Sequence, residues 1–275
     1  MTQKTETFSF TIDGKQVYAE PGETVMKIAG KNGINIPGLC HHESVSPYGA
    51  CRLCIVEVFW GKKSKLVASC IYFPSPNDIV ETNNKRVRSR RRMIIELLLT
   101  RCPDVEIIQK LAREYDVEKT RFAETSGLKN EQRCILCGLC VRTCDEIIGR
   151  HAISYANRGT DRMVTTPFDD QSDECIGCGA CVFVCPTKAL HYEDIDGKRF
   201  FEELHTQVPL VKCRLCGNAF ASQKQIDVMM ERLEISREMA ETCPRCRSSS
   251  FGETMAQVLG KYKAGEAVIG SDKFS

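Results

Sequence analysis

Seventeen cysteines in a chain of 275 residues constrain this fold more than any other feature of the sequence. Most of them stand in Cys-x-x-Cys groups, a spacing that lets two thiolates hold one metal ion or cluster and that disulfide bonds do not require. The count is odd and the N-terminal residues carry no apolar signal core, so a secreted disulfide scaffold is not expected. We expect a cytoplasmic metalloprotein.

The cysteines divide into four sets of four and one remainder. Four thiolates saturate one iron–sulfur cluster or one tetrahedral zinc ion. In chain order the sets are Cys40, Cys51, Cys54 and Cys70; Cys134, Cys137, Cys140 and Cys144; Cys175, Cys178, Cys181 and Cys185; and Cys213, Cys216, Cys243 and Cys246. Cys102 is left over, and we expect it to be a buried small hydrophobic residue or, alternatively, a free thiol.

The second and third sets both have the spacing C-x2-C-x2-C-x3-C, which is typical of bacterial ferredoxins with two [4Fe–4S] clusters. Pro186 follows the third set as that pattern requires, whereas Asp145 follows the second. Because the fourth cysteine of each run binds the other cluster, we predict a crossed assignment. The predicted ligand sets are Cys134, Cys137, Cys140 and Cys185 for one cluster, and Cys175, Cys178, Cys181 and Cys144 for the other. Zinc at these cysteines is the alternative.

The fourth set forms two Cys-x-x-Cys knuckles, with Gly217 after the first and Pro244 inside the second. Widely separated knuckles of this kind predict a zinc-ribbon-like module holding Zn²⁺, with iron or a further iron–sulfur cluster as alternatives. Between them we predict one helix over Gln223–Ala240. Its apolar side would consist of Ile226, Met229, Met230, Leu233 and Met239.

The N-terminal residues predict a β-grasp sheet. Asp13-Gly14 stands between two alternating runs and predicts a hairpin. Thr24 is a helix N-cap candidate, and Gly33 is placed to end that helix. A cysteine-bearing loop and a strand over Ile55–Phe59 complete the pattern.

The first cysteine set resembles the [2Fe–2S] domain of the large iron–sulfur subunit of complex I and of its relatives in NAD-linked hydrogenases and formate dehydrogenases. The residues that carry the resemblance are Ile36–Cys40, Tyr48–Val58, Ala68–Cys70 and a basic-then-aliphatic helix over Arg86–Thr100. The resemblance implies that Cys40 and Cys51 bind one iron of the cluster and that Cys54 and Cys70 bind the other. His41 and His42 are expected to be loop histidines without a ligand role.

The chain departs from this family after the Leu-rich helix. There the family carries a histidine and three cysteines for a further [4Fe–4S] cluster, whereas this chain has only Cys102 before an amphipathic helix with Val105, Ile108, Leu111 and Tyr115. One thiolate cannot hold a cubane, so that cluster is expected to be absent. Either the fold brings the [2Fe–2S] site close to the pair of [4Fe–4S] clusters, or the [2Fe–2S] centre serves a separate branch of the electron-transfer path.

These observations predict an α+β protein of several small domains. We place a β-grasp [2Fe–2S] ferredoxin domain at 1–84, a short helical linker at 85–126, a two-[4Fe–4S] ferredoxin domain at 127–204, a zinc-ribbon-like module at 205–252 and a tail at 253–275. Between the two ferredoxin-type runs, the segments ISYANRG and RMVTTPF predict short strands.

Charge and missing motifs exclude several functions. The 38 basic and 36 acidic residues do not favour a general nucleic-acid binder. A basic run, consisting of Arg86, Arg88, Arg90, Arg91 and Arg92, is expected to be a solvated helix face or a docking surface for an acidic partner. No G-x-G-x-x-G motif, Walker A motif or bilayer-spanning run is present, and we predict no catalytic residue.

The sequence therefore predicts an electron-transfer subunit of a cytosolic, multi-subunit oxidoreductase linked to flavin and NAD(H). Its expected cofactors are one [2Fe–2S] cluster, two [4Fe–4S] clusters and one Zn²⁺. Its expected partners are a flavin/NAD(H)-binding subunit, a further redox subunit and, in an electron-bifurcating setting, soluble ferredoxin. The alternatives are a redox-sensing regulator that touches nucleic acid, and a chain that is itself the catalytic subunit.

Overall fold

The computed structural model describes residues 7–122 and 133–249. It forms two compact units: the first contains the chain up to residue 170 together with 179–191, and the second contains 171–178 together with the chain from 192 onward. Both units mix helices and strands, which confirms the predicted α+β class.

The first unit begins with a five-stranded sheet in the order β2-β1-β5-β3-β4. β1 runs parallel to β5, and the other neighbours are antiparallel, which is the β-grasp arrangement that the sequence predicted. The elements are β1 (Phe8–Ile12), β2 (Lys15–Ala19), α1 (Val25–Lys31), β3 (Ile55–Trp60), β4 (Lys63–Ala68) and β5 (Ile79–Glu81).

Local turn and cap chemistry sets the start of this sheet. Asp13 and Gly14 both have positive φ, at 49° and 78°, as the tight turn of the predicted hairpin requires. The Thr24 hydroxyl accepts a hydrogen bond from the Lys27 amide at 3.4 Å and caps α1 as predicted. Buried apolar side chains of α1, including Ile28, then join the core of the sheet.

Helices α2 (Lys85–Arg101) and α3 (Glu106–Glu114) follow the sheet and pack together. The predicted apolar face of α3 is confirmed, because Ile108 is fully buried and its three partners in the prediction are also buried. Cys102 lies between the helices with no exposed surface. Burial raises the pKa of its thiol to about 11, so Cys102 is a neutral core residue, as expected.

The rest of the first unit is built from short elements. They are α4 (Leu139–Arg142), a π-helical segment (Thr143–Ile148), the antiparallel pair β6 (Ser154–Ala156) and β7 (Met163–Thr165), and α5 (Ala180–Phe183). The β6–β7 pair confirms the two predicted short strands. Helices α4 and α5 pack against each other, and each begins after a left-handed glycine, Gly138 or Gly179.

The second unit contains an antiparallel sheet in the order β11-β10-β9-β8, followed by two helices. Its elements are β8 (Glu193–Ile195), β9 (Lys198–Phe201), β10 (Thr206–Lys212), β11 (Ala219–Ser222), α6 (Gln223–Leu233) and α7 (Arg237–Ala240). The predicted boundary between 204 and 205 falls between β9 and β10, which are paired neighbours in this sheet.

The prediction of one helix over Gln223–Ala240 is wrong. Glu234 has a φ of 50° and ends α6, and the Ser236 hydroxyl accepts a hydrogen bond from the Met239 amide at 3.3 Å, which caps a separate α7. The predicted apolar side is correspondingly incomplete. Ile226 is fully buried, whereas Leu233 and Met239 are at least half exposed. Among the described residues, no helix has the length and apolar character needed to span a bilayer.

Candidate iron–sulfur and metal sites

The four cysteines of the first set converge beside the β-grasp sheet. Cys40, Cys51 and Cys54 lie on the loop between α1 and β3, and Cys70 follows β4. The Sγ atoms of Cys54 and Cys70 are 3.3 Å apart, and the Cys51 amide donates to Cys40 Sγ at 3.3 Å. All four are less than 9% exposed, so the fold brings the predicted set together in a shielded position.

The electrostatics of this site favour thiolate. Hydrogen bonds from the Cys51 and Cys70 thiols lower the pKa of Cys40 to about 2, and the Cys70 thiol lowers the pKa of Cys54 to about 6. The pKa values of Cys51 and Cys70 are raised, first by their hydrogen bonds to Cys40. Cys40 and Cys54 therefore favour the thiolate form. Iron bound in place of the shared protons would let Cys51 and Cys70 become thiolates as well.

Ser69 also faces this site. It is fully buried, and a hydrogen bond from its side chain helps to lower the pKa of the Cys54 thiol. The buried hydroxyl therefore favours the thiolate form of a predicted ligand, which is the form that binds iron.

The cysteines of the predicted first cubane also converge. Cys134, Cys137 and Cys140 lie on the segment leading into α4, and Cys185 follows α5. Burial is the first cause that raises the pKa of the first three thiols, and repulsion from Cys185 adds to it in each case. Burial therefore keeps these thiols neutral without a metal, and the positive iron core of a cluster would shift them to the thiolate form that binds it.

Backbone amides point at the sulfurs of this set. The Leu136 amide donates to Cys134 Sγ at 3.4 Å, and the Ala189 amide donates to Cys185 Sγ at 3.2 Å. Leu136 adopts a φ of 53°, a left-handed conformation that is unusual for leucine. N–H···S bonds of this kind stabilise the electron-rich form of a cluster.

The ligands of the predicted second cubane are distributed over both units. Cys144 lies in the π-helical segment and Cys181 in α5, two elements of the first unit that pack together. Cys175 and Cys178 lie in the second unit, on a loop of residues 172–178 that we call the ligand loop. The ligand loop is held by hydrogen bonds from the sheet of the second unit.

Arg142 joins the two sites of the first unit and was not recognised from the sequence. Its Nη2 donates to the carbonyl oxygen of Cys40 at 2.8 Å, and its Nη1 donates to Ser46 O. Its guanidinium also stacks over the Tyr48 ring, 5.1 Å from the centroid. Cys40 is close enough to Cys137 to help raise the pKa of the Cys137 thiol electrostatically. Cys40 and Cys51 of the first set therefore share one hydrophobic core with Cys137 of the second set.

Tyr155 lies against the backbone between Cys137 and Leu139. A side chain added at Gly138, which has a φ of 74°, would collide with Tyr155 Oη. Burial is the first cause that raises the pKa of Tyr155, and the neighbouring Tyr48 and Cys140 add to it. Tyr155 therefore lies beside the predicted ligand Cys140 and limits the space at Gly138.

The fourth set forms a compact group whose ligand atoms all lie within 4.8 Å of one another. Cys216 Sγ and Cys243 Sγ are 3.8 Å apart, which is the edge of a tetrahedron with metal–sulfur bonds of about 2.3 Å. The Cys243 amide donates to Cys213 Sγ at 3.3 Å and is the first cause that lowers the pKa of Cys213 to about 6. The site fits a tetrahedral metal ion.

The basic run on α2 differs from the expected solvated face. Arg91 is 2% exposed, and it donates to Leu53 O at 2.9 Å and to Ile55 O at 2.7 Å. Arg86 pairs with the buried Glu57 at 2.5 Å. The interpretation as a docking surface is wrong for Arg91, because its guanidinium supplies donors to carbonyls on both sides of Cys54.

Comparison with known proteins identifies the domains. A 2Fe-2S iron-sulfur cluster binding domain matches residues 5–85, and a 4Fe-4S dicluster domain matches residues 133–189. The chain is a multi-cluster iron–sulfur protein. The pair of [4Fe–4S] clusters is as the cysteine spacing predicted, and the [2Fe–2S] domain is as the family resemblance implied.

The relatives confirm the predicted resemblance. The chain is 30% identical over 202 residues to a subunit of the NADH-quinone oxidoreductase of Rhizobium meliloti, covering 66% of this chain and 23% of that protein. It is 31% identical to the mitochondrial NADH-ubiquinone oxidoreductase 78 kDa subunit of Neurospora crassa, covering 68% and 28%. It is also 31% identical to the HndD subunit of the NADP-reducing hydrogenase of Solidesulfovibrio fructosivorans, covering 66% and 35%.

A solved structure shows the same similarity in three dimensions. A chain of an NAD⁺-reducing [NiFe]-hydrogenase in the H2-reduced state is 28% identical, with a TM-score of 0.50, and the match covers 58% of this chain and 74% of that one. The chain spans only 23–35% of the length of the three curated relatives.

Proposed function

We propose that this chain is an iron–sulfur electron-transfer subunit of a cytoplasmic, multi-subunit oxidoreductase linked to flavin and NAD(H). Iron–sulfur clusters bound by cysteine thiolates accept and release single electrons. We propose the ligand sets predicted from the sequence: Cys40, Cys51, Cys54 and Cys70 for [2Fe–2S]; Cys134, Cys137, Cys140 and Cys185 for one [4Fe–4S]; and Cys175, Cys178, Cys181 and Cys144 for the other.

The single observation that carries this proposal is the contact between the first two ligand sets. Arg142 donates to the carbonyl of Cys40 from the helix that contains Cys140, so the backbone of one cluster loop is fixed to the other. In the same region, the Ser46 amide donates to Glu146 Oε2 at 2.6 Å. This supports a direct path between the [2Fe–2S] site and the ferredoxin pair, and it removes the need for the family's additional cluster.

The fourth set is proposed to hold a structural Zn²⁺, since four thiolates leave no open coordination position for a substrate. The proposed partners are a flavin/NAD(H)-binding subunit and a further redox subunit, with soluble ferredoxin as a candidate in an electron-bifurcating complex. The names of the relatives, which are subunits of NADH-linked and hydrogenase assemblies, support this choice. A redox-sensing regulator is disfavoured, because Arg91 of the basic run is buried and Arg86, although half exposed, is paired with Glu57.

Metal analysis and EPR spectroscopy of the anaerobically purified full chain test the proposal. We expect about ten irons, from two and four and four, and about one zinc per chain. Reduction should reveal one [2Fe–2S] and two [4Fe–4S] signals. Zinc without iron, or two irons or fewer, would contradict the proposed function.

The proposed path is tested by Arg142→Met. In flash reduction, we expect slower equilibration between the [2Fe–2S] and [4Fe–4S] signals while the iron content stays at the wild-type value. The matched control is Arg158→Met, since Arg158 is exposed in the same unit. An unchanged rate in Arg142→Met would show that the Arg142–Cys40 contact is not needed for electron transfer between the two sites. The proposed clusters themselves would not be affected by that result.

A further inference from the structure

The ligand loop receives hydrogen bonds from two strands of the second unit. Arg199 in β9 donates from Nη1 to Gly177 O at 2.7 Å, and Ser222 at the end of β11 donates from Oγ to Ile176 O at 2.5 Å. These carbonyls belong to consecutive residues and immediately precede Cys178. The sheet therefore fixes the peptide groups that orient this cysteine.

Further contacts hold the loop along its length. Lys224 in α6 donates to Asp173 O, and the Ser172 amide donates to Thr206 Oγ1 at 3.3 Å. Gly177 has a φ of 68°, and an added Cβ would lie 3.2 Å from the Val208 side chain of β10. A side chain at this position would crowd Val208, so the loop packs closely against the sheet.

The guanidinium of Arg199 is fixed on both of its edges. Its side chain is only 8% exposed, and its Nε and Nη2 each pair with an Asp194 carboxylate oxygen at 2.8 Å. The Tyr192 ring stacks 4.1 Å from Cζ. Asp194 thus occupies the edge opposite Gly177. The pKa of Arg199 is raised, first by Asp194 and in smaller part by Cys178.

We propose that Arg199 is a positioning residue for the cluster held by Cys175 and Cys178, and that its charge raises the reduction potential of that cluster. The inference rests on the proposed function. In the step concerned, the cluster takes one electron from the added reductant, and no bond or proton changes. The reduced cluster carries one more negative charge, so the nearby cation stabilises it relative to the oxidised cluster, whereas Asp194 acts in the opposite sense.

Potentiometric EPR titration of the holo full chain with dithionite tests the inference. We expect Arg199→Met to lower the potential of one [4Fe–4S] cluster by a tenfold change in its reduction constant, which is 59 mV for one electron. Asp194→Asn should raise the potential of the same cluster. The other cubane and the [2Fe–2S] cluster serve as internal references. The matched control is Arg237→Met, because Arg237 forms an exposed ion pair in the same unit.

Opposite shifts in the two variants support the inference, since general loosening of the fold would not reverse sign. Arg199→Lys keeps the charge without the fork, so its potential should lie closer to wild type than that of Arg199→Met. If Arg199→Met does not retain its irons, Asp194→Asn decides, and an unmoved potential in that variant overturns the inference. Unmoved potentials in both variants, or equal shifts of all clusters, would overturn it. Absence of [4Fe–4S] signals in the wild-type chain would overturn the proposed function as well, and this result is distinct from unmoved potentials.

Discussion

Replacement of Arg91 by methionine probes the support of the [2Fe–2S] loop. Methionine preserves much of the buried stem but removes the donors to Leu53 O and Ile55 O, and it also removes a bond from Nη1 to the Tyr115 hydroxyl at 3.2 Å. Two buried carbonyls are then left without these donors. Each such carbonyl costs about 1–3 kcal/mol.

The loss is partly offset because the variant no longer buries a charge. We therefore expect a net destabilisation of about 2–3 kcal/mol. With a urea slope of about 2 kcal/mol/M, the unfolding midpoint should fall by about 1 M. The two carbonyls flank Cys54, so we also expect faster loss of the [2Fe–2S] signal, which visible circular dichroism follows during the same titration.

The control for this experiment is Arg90→Met, because Arg90 lies next to Arg91 on the same helix and is exposed. Its unfolding free energy should stay within about 0.5 kcal/mol of wild type. Arg91→Lys should fall between the two, since lysine keeps the charge but cannot reach both carbonyls with one ammonium. Equal midpoints for Arg91→Met and Arg90→Met would refute the assignment of a structural role to the buried guanidinium.

Three further predictions concern other parts of the chain. A hydrogen bond from Lys31 lowers the pKa of Glu23 to about 2. This carboxylate should therefore contribute about 1 kcal/mol of stability above pH 4.5, and that contribution is lost as the pH falls toward 2. Glu23→Gln should flatten the pH dependence of urea unfolding between these pH values, and an unchanged curve would contradict the prediction. Gly138→Ala should lose about four irons per chain in metal analysis, because φ is positive and Tyr155 fills the space; full iron content would show that the loop can adapt. Cys216→Ser should abolish zinc binding and increase proteolysis of the β10–β11 hairpin, whereas retained zinc would exclude Cys216 as a ligand.

Structural features that depend on neighbouring residues could be predicted from the sequence. The Asp13-Gly14 turn, the Thr24 cap and the buried face of α3 depend on residues only a few positions apart, so their patterns stand in the sequence itself. Cysteine spacing is equally local and indicated the paired [4Fe–4S] domain, whereas the resemblance of the first set to a known family indicated the [2Fe–2S] domain. The break after Leu233 was missed, although Ser236 before Glu238 carries a capping signal that could have indicated it.

Long-range contacts could not be predicted in this way. Arg91 binds carbonyls 36 and 38 residues away, and Arg142 binds Cys40 across 102 residues. In the sequence both residues look like ordinary helix arginines, and Arg142 is hidden inside a ligand run. Only the packing of the first unit shows that the [2Fe–2S] loop and the first cubane loop lie in one core.

Three arginines meet a common requirement of the cysteine-bearing loops. These loops use backbone amides as donors to sulfur, as at Cys51 and Leu136, so those amides are not available to carbonyl groups. Buried carbonyls of the loops still need donors.

Arginine meets this need well, since it offers five donors and no acceptor, and its charge also favours the reduced cluster. Arg91, Arg142 and Arg199 each donate to a carbonyl of a cluster cysteine or of its direct neighbour. Arg101 does the same for Cys134 O at 2.7 Å. We therefore expect Arg101→Met to lower the potential of the first cubane in the EPR titration while the other cubane keeps its wild-type potential, and a shift of neither cubane would limit the argument to backbone support.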